Sequence, residues 1–267
     1  MDPSPGDLTD KLVGIIEAIA QGSYLQDIME LTKPGRPQTI RRIAEAVGLM
    51  MVKIEAREYQ LEQLVEELRE LNERLIKNVI NTVTTMANAL AARDEYTEGH
   101  ATRVADYAQR VAGRLGLPEN EINNIRLGGI LHDIGKIGFP DALFEARGVP
   151  LTDDLLSSIK VHPENGVNIL RDLDFLGPIV GFVHYHHERF DGQGYPEGLT
   201  GSEIPLGARI ISVADCFDAM TTDRPYQRGK SYAEGLEILK RISGSQLDPE
   251  VVRAFVEEIT QNGVSQE

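Results

Sequence analysis

Residues 40–75, IRRIAEAVGLMMVKIEAREYQLEQLVEELRELNERL, carry an apolar side chain at every seventh position: Ile40, Val47, Ile54, Leu61, Leu68 and Leu75. Ile43, Met50, Leu64 and Leu71 supply the other half of an a/d seam, interrupted at Arg57, while Glu62, Glu66, Glu67, Arg69, Glu70 and Arg74 fill the faces between. A heptad apolar period sustained over this span predicts one long helix with a single sticky stripe. Such a stripe needs a cover. The expectation is a second copy, giving a homodimer through the 40–75 helix; the alternative is that the helix packs on its own chain's globular part.

Working outward, the seam is preceded by a break. Leu12 to Ile19 form a short amphipathic stretch, and Pro34, Gly35 and Pro37 then interrupt any helix before residue 38. Past Leu75 the apolar register changes to Ile76, Val79, Val83, Met86 and Leu90, so the helix is expected to leave the seam and enter another core. Two regions follow: an N-terminal helical dimerisation or signalling region, 1–76, and a second domain, 77–267. In the second, helical periodicity is punctuated at Gly116-Leu117-Pro118, from Gly138 to Pro150, and from Asp191 to Pro205. No alternating runs joined by a hairpin turn are present, so the fold class is all-α.

Composition narrows the function classes. The chain has 267 residues, 41% apolar and 26% charged, which suits a globular protein with its own core. Forty-two acids against 27 bases give a net charge of −15, which disfavours polymeric nucleic acid or an anionic membrane as a general partner. No apolar run is long enough to span a bilayer, and the N-terminus lacks a signal-peptide pattern. The single cysteine, Cys216, can form neither an internal disulfide nor a thiolate cluster, and reads as a small buried apolar side chain. The expected location is the cytoplasm.

Six histidines carry most of the chemical information: His100 in RDEYTEGH, His132 in LHDIGKIG, His162 in KVHPENG, and His184, His186 and His187 in VHYHHERFDGQGYP. Asp133 follows His132 directly, and Asp215 lies in the apolar stretch ARIISVADCFDAM. Adjacent residues on a helix point about 100° apart, so His132 and Asp133 could serve different ions. Imidazole and carboxylate donors without thiolates suit Fe, Mn, Zn or Ni better than Mg or Ca. Two such ions close together suit phosphodiester hydrolysis, because they acidify water and stabilise charge on the leaving oxygen. Burying Asp133 and Asp215 without cations would be costly.

These residues resemble the HD-GYP phosphodiesterases, a branch of the HD superfamily that hydrolyses the bacterial messenger cyclic di-GMP. The resemblance covers roughly residues 77–262 and rests on six motifs in order: D-x-Y-T-x-G-H ending at His100, L-H-D-I-G-K-I-G, K-x-H-P-x-x-G, H-H-E-R-F-D-G-x-G-Y-P, G-L-x-G-x-x-I-P-L-x-A-R-I, and A-D-x-F-D-A-M-T-x-D-R-P-Y. It implies a helical HD-type catalytic bundle and a metal-dependent enzyme that opens cyclic di-GMP to linear pGpG, with GMP as the product of a second cut. It implies His100, His132, Asp133, His162, His186, His187 and Asp215 as metal ligands, with Asp133 bridging two divalent ions, Fe or Mn. His132 and Asp215 would serve mainly one ion, and His162 with the His186-His187 pair the other. Lys136 would aid the attacking water or the phosphate, Tyr195 would shape the substrate pocket, and Arg224 would face a phosphate.

Three positions depart from the family pattern. Tyr96 stands where some members hold a third ion with glutamate, which favours two ions here. Gln227 replaces an arginine after Arg224-Pro225-Tyr226, with Arg228 or Lys230 as substitutes, and Phe190 replaces a tryptophan. Glu188, Asp191 and Asp218 read either as groups that orient ligands or as surface and capping residues; His184 reads as pointing away from the site. The rival functions are an HD-type hydrolase of another nucleotide or phosphoester, and a catalytically silent sensor. The N-terminal region loosely resembles a HAMP-type or signalling-helix module that passes conformational signals to the catalytic part.

Overall fold

The computed structural model describes residues 5–21, 28–93, 99–140, 153–223 and 228–262. Among them the chain is all-α, as the periodicity predicts, and pairing is limited to the isolated bridges Asp191 to Thr200 and Ser243 to Leu247. Contacts divide the chain into two units, Met1–Leu75 and Ile76–Glu267.

The first unit contains α1 (Pro5–Ala20), the short α2 (Ile28–Leu31) and the first part of α3 (Gln38–Arg93). The long helix starts directly after the Pro34-Gly35-Arg36-Pro37 interruption. Leu8, Leu12, Ile15 and Ile19 on α1 and Ile40, Ala44, Val47 and Met51 on α3 recur at the same helical spacing and join Ile28 and Leu31 in one core. This divides the expected seam. Ile40 and Val47 are only 9% exposed because the chain's own α1 covers them, whereas Leu61 and Leu68 are 61% and 57% exposed. The heptad pattern correctly marks the stripe but not what lies on it: within 40–51 the a positions are covered by the chain's own α1, which is neither a second copy nor the chain's globular part.

The second unit is a helical bundle: the end of α3, then α4 (His100–Arg114), α5 (Glu119–Leu131), a 3₁₀ turn at Ile134–Gly138, α6 (Asp153–Lys160), α7 (His162–Leu170), α8 (Ile179–Tyr185), α9 (Leu206–Thr221), α10 (Tyr232–Ile242) and α11 (Pro249–Asn262). Helix α9 is the hub, packing against α4, α5, α8, α10 and α11. Its sequence explains that position, since Ala208, Ile210, Ile211, Val213, Ala214 and Phe217 are all fully buried, leaving it apolar almost all round. Phe217 packs against Tyr107, Tyr232 and Phe255 with ring centroids 5.5, 5.2 and 4.9 Å away. From α3, Val83 and Ala87 join this core, while Met86, expected to face inward, is exposed.

Helices α4 and α11 are tied by charge. Arg110 Nε and Arg114 Nε donate to the two oxygens of the buried Glu258 at 3.0 and 2.9 Å, so the carboxylate is matched at both lone-pair sites. One close approach places the site. A Cβ on Gly135 would fall 1.9 Å from the carbonyl oxygen of His162, so only glycine lets the 3₁₀ turn lie on the start of α7. No helix among the described residues is long and apolar enough to cross a membrane.

Candidate metal centre

The seven side chains expected to bind metal converge in two adjacent groups. Asp133, His162, His186 and His187 form one, and His100, His132 and Asp215 the other; within each, the donor atoms lie within 4.8 Å of one another. Asp133 reaches both groups: Oδ1 is 3.3 Å from His162 Nε2 and Oδ2 is 3.2 Å from His132 Nε2. His132 and Asp133 do not share a helix. His132 caps α5 and Asp133 caps the 3₁₀ turn, with φ −99° and ψ 8°, so a change of backbone direction rather than helical rotation separates them.

Helix ends aim three of the imidazoles. Each has its Nδ1 on the main-chain carbonyl three residues earlier: His132 on Gly129 at 2.8 Å, His162 on Ile159 at 2.7 Å and His186 on Val183 at 2.7 Å. A carbonyl only accepts, so each Nδ1 carries the proton and each Nε2 is left with its lone pair. His162 Nε2 and His186 Nε2 then face one another at 3.3 Å, with Asp133 Oδ1 also beside the former. Burial opposes protonation here, lowering His162 to about 4 despite Asp133 nearby, and holding His186 well below the usual range. Three bare acceptors at that separation repel unless a cation lies among them. His132 Nε2, fully buried, likewise has no hydrogen-bond partner, although Asp133 is close. The donor set therefore fits metal, and its nitrogen and carboxylate chemistry fits transition ions.

His100 is different. Its Nε2 lies 3.2 Å from Asp215 Oδ1 and its Nδ1 2.7 Å from Asp218 Oδ2. Burial pulls its pKa down, but the two carboxylates more than offset this and raise it to about 9. An ion at this position would therefore compete with a proton shared between His100 and Asp215. Burial would raise both aspartates of the centre. Instead the Lys136 ammonium beside it holds Asp133 well below the usual range, and the hydrogen bond from His100 takes Asp215 down to about 2.

Lys136, on the 3₁₀ turn, donates to Asp133 Oδ2 at 2.6 Å. Tyr195 stacks on His187, centroids 4.9 Å apart and planes 25° off parallel, and its N–H donates to the His187 carbonyl. The loop is fixed by Glu188, whose Oε1 accepts from the N–H groups of Glu197 and Gly198 at 2.7 and 2.9 Å. A Cβ on Gly194 would collide with the backbone of Glu188 and Arg189, at 2.5 and 2.2 Å. Lys160, which sequence reasoning did not single out, sits 5.9 Å from the Tyr195 ring. Asp191 pairs with Arg189 outside the centre, and His184 packs on Tyr185. The Cys216 thiol is pushed up to about 12 by burial and Asp215, so it is no thiolate ligand. Arg224, Tyr96 and Gln227 lie outside the described residues.

Residues 84–251 match the family described as "HD domain". The chain is 35% identical over 265 residues to the cyclic di-GMP phosphodiesterase response regulator RpfG of Xanthomonas campestris, covering 95% of this chain and 68% of that protein. The chain belongs to the HD-GYP branch of the HD-domain family. A cyclic di-GMP phosphodiesterase of Pseudomonas aeruginosa is 40% identical to this HD-GYP chain over 171 residues, 64% of the chain but only 41% of the relative. The crystal structure of a cyclic GMP-AMP specific phosphodiesterase of Vibrio cholerae shares the fold, with TM-score 0.55 and 22% identity over 68% of this chain and 49% of that one.

Proposed function

We propose that this HD-GYP chain is a metal-dependent phosphodiesterase that opens cyclic di-GMP to linear pGpG, with GMP as product where the second phosphodiester is also cut. The observation that carries this reading is the Nε2-to-Nε2 approach of His162 and His186 at 3.3 Å, an arrangement suited to holding a cation. The names of the two sequence relatives supply the substrate. His100, His132 and Asp215 would hold one divalent ion, Fe or Mn, and His162, His186 and His187 the other, with Asp133 between them.

Bound there, the ions would supply a nucleophile at neutral pH and offset charge at phosphorus and the leaving oxygen. The chain's own residues do the rest. Lys136 keeps an ammonium beside Asp133, where it offers charge to a phosphate oxygen. Tyr195, fixed against His187 by the Glu188-clamped loop, forms a wall that limits how a base can lie. Arg224 is assigned to a phosphate by the motif alone.

The remaining parts of the reading concern organisation. Residues 1–76 form a dimerisation and signalling region and 77–267 the catalytic domain, in a homodimer joined through the exposed Leu61, Leu64, Leu68 and Leu71 stripe. The chain works in the cytoplasm, where a lone cysteine suits the reducing conditions. The test is anaerobic purification with elemental analysis, and product chromatography on cyclic di-GMP, 3′3′-cyclic GMP-AMP and cyclic di-AMP for wild type and Asp133→Ala. Loss of cyclic di-GMP turnover in Asp133→Ala is expected; equal turnover in both would remove the mechanism, and preference for another cyclic dinucleotide would replace the substrate.

A further inference from the structure

We infer that Asp218, backed by Arg103, is a positioning residue that acts through His100 and governs one of the two metal positions. The inference rests on the metal reading above and concerns a residue that the sequence left open between orienting an unnamed ligand and a surface or capping role.

The imidazoles whose Nδ1 contacts are described above are not all oriented in the same way. His132 and His186 cap the ends of α5 and α8, and His162 opens α7 directly after α6; in each case the helical turn before it supplies the carbonyl that fixes its Nδ1. His100 opens α4, and its Nδ1 faces a side chain rather than a main-chain carbonyl. The contact comes instead from α9, 118 residues away, where Asp218 Oδ2 lies 2.7 Å from His100 Nδ1. Asp215 and Asp218 are one turn apart on α9 and approach opposite nitrogens of the same ring.

With Nδ1–H donated to Asp218, Nε2 is the nitrogen turned toward the position shared with His132 and Asp215. Asp218 is itself buried and cannot move to suit the ring, because Arg103 Nε donates to its Oδ1 at 2.6 Å and Arg103 Nη2 to its Oδ2 at 3.0 Å. Arg103 stands one turn beyond His100 on α4, so the ring and the guanidinium both meet the same α9 carboxylate. The group containing Asp133, His162, His186 and His187 has no part in it.

Titration of the full chain with Mn²⁺ tests this. Wild type is expected to bind two ions. Asp218→Ala is expected to weaken one position about 10- to 100-fold and leave the other unchanged, the usual scale for removing a group that orients a ligand. In a His100→Ala background the same substitution is expected to add no further loss, because its route of action is gone. Asp218→Asn, which keeps an acceptor for Nδ1–H, is expected to weaken that position less than alanine does. Unchanged affinity, equal weakening of both positions, or an additional loss in the His100→Ala background would overturn the inference and leave Asp218 as a structural tie between α4 and α9. Where Asp218→Ala loses its helical circular dichroism, Asp218→Asn in the two backgrounds decides by the same criteria. A wild-type chain that binds no Mn²⁺ would overturn the metal reading itself, a distinct result.

Discussion

Gly135 and the carbonyl of His162 are in such close approach that a single added methyl group would lie 1.9 Å from the oxygen. The contact presses the turn carrying Asp133 and Lys136 onto the start of the helix that presents His162. Gly135→Ala is therefore expected to cost roughly 2–3 kcal/mol of stability by overpacking and to weaken Mn²⁺ binding. Gly48, inside α3 with nothing within 4 Å of its added Cβ, provides the contrast: Gly48→Ala is expected to stabilise by about 0.5–1 kcal/mol. Urea denaturation of both variants checks the opposite signs.

Metal should stabilise the fold, because the donors meet only in the folded chain. At a free Mn²⁺ concentration 100 times the dissociation constant, one position adds about 2.7 kcal/mol. Thermal unfolding with EDTA and with Mn²⁺ measures it. A rise in Tm with Mn²⁺ that disappears in His162→Ala/His100→Ala is expected; an identical rise in that double variant would mean the ion binds elsewhere.

Protons and metal compete at His100. Its pKa is raised from the ordinary 6.5 to about 9 in the metal-free fold, so its contribution to stability is fully present below pH 6.5 and is lost as pH rises through about 9. Binding at Nε2 must displace that proton, whereas His162, lowered to about 4, has none to lose at neutral pH. Mn²⁺ binding at pH 7 is accordingly expected to release about one proton from His100, fading above pH 9. Calorimetry in buffers of different ionisation enthalpy reads the release, and its absence in His100→Ala confirms the source.

The exposed stripe of α3 sets the fourth expectation. Leu64→Glu with Leu68→Glu should lower the light-scattering mass to that of one chain, 29.5 kDa, while leaving the α1–α3 core and its helicity intact. A dimer that survives both charges would locate the interface elsewhere.

What the sequence made legible was what is written in short, contiguous runs. His132-Asp133 and His186-His187 each combine candidate ligands with the turn that aims them, and Gly194-Tyr195-Pro196 places Tyr195 against His187. The all-α class followed from apolar spacing. Two things were not legible, for different reasons. A heptad stripe states that something must cover Ile40 and Val47 without naming α1 as the cover, since that depends on how a connector of irregular sequence turns. The sequence marks Asp218 as a possible ligand-orienting group, but no local pattern records that its partner is His100, 118 residues away. The i, i+3 spacing of Asp215 and Asp218 on an otherwise apolar helix was the available signal. Likewise, the helical reading of His132-Asp133 missed that the helix stops at Leu131.

Fixing Nδ1 with a peptide carbonyl at His132, His162 and His186 ties those corners to the main chain rather than to a side chain, although at Gly129 an added Cβ would lie 2.8 Å from Ala105 Cα. They can be retuned only by reshaping the main chain. The His100 corner, anchored by one carboxyl group, is where a point substitution could alter ion preference without disturbing the framework that holds the other three.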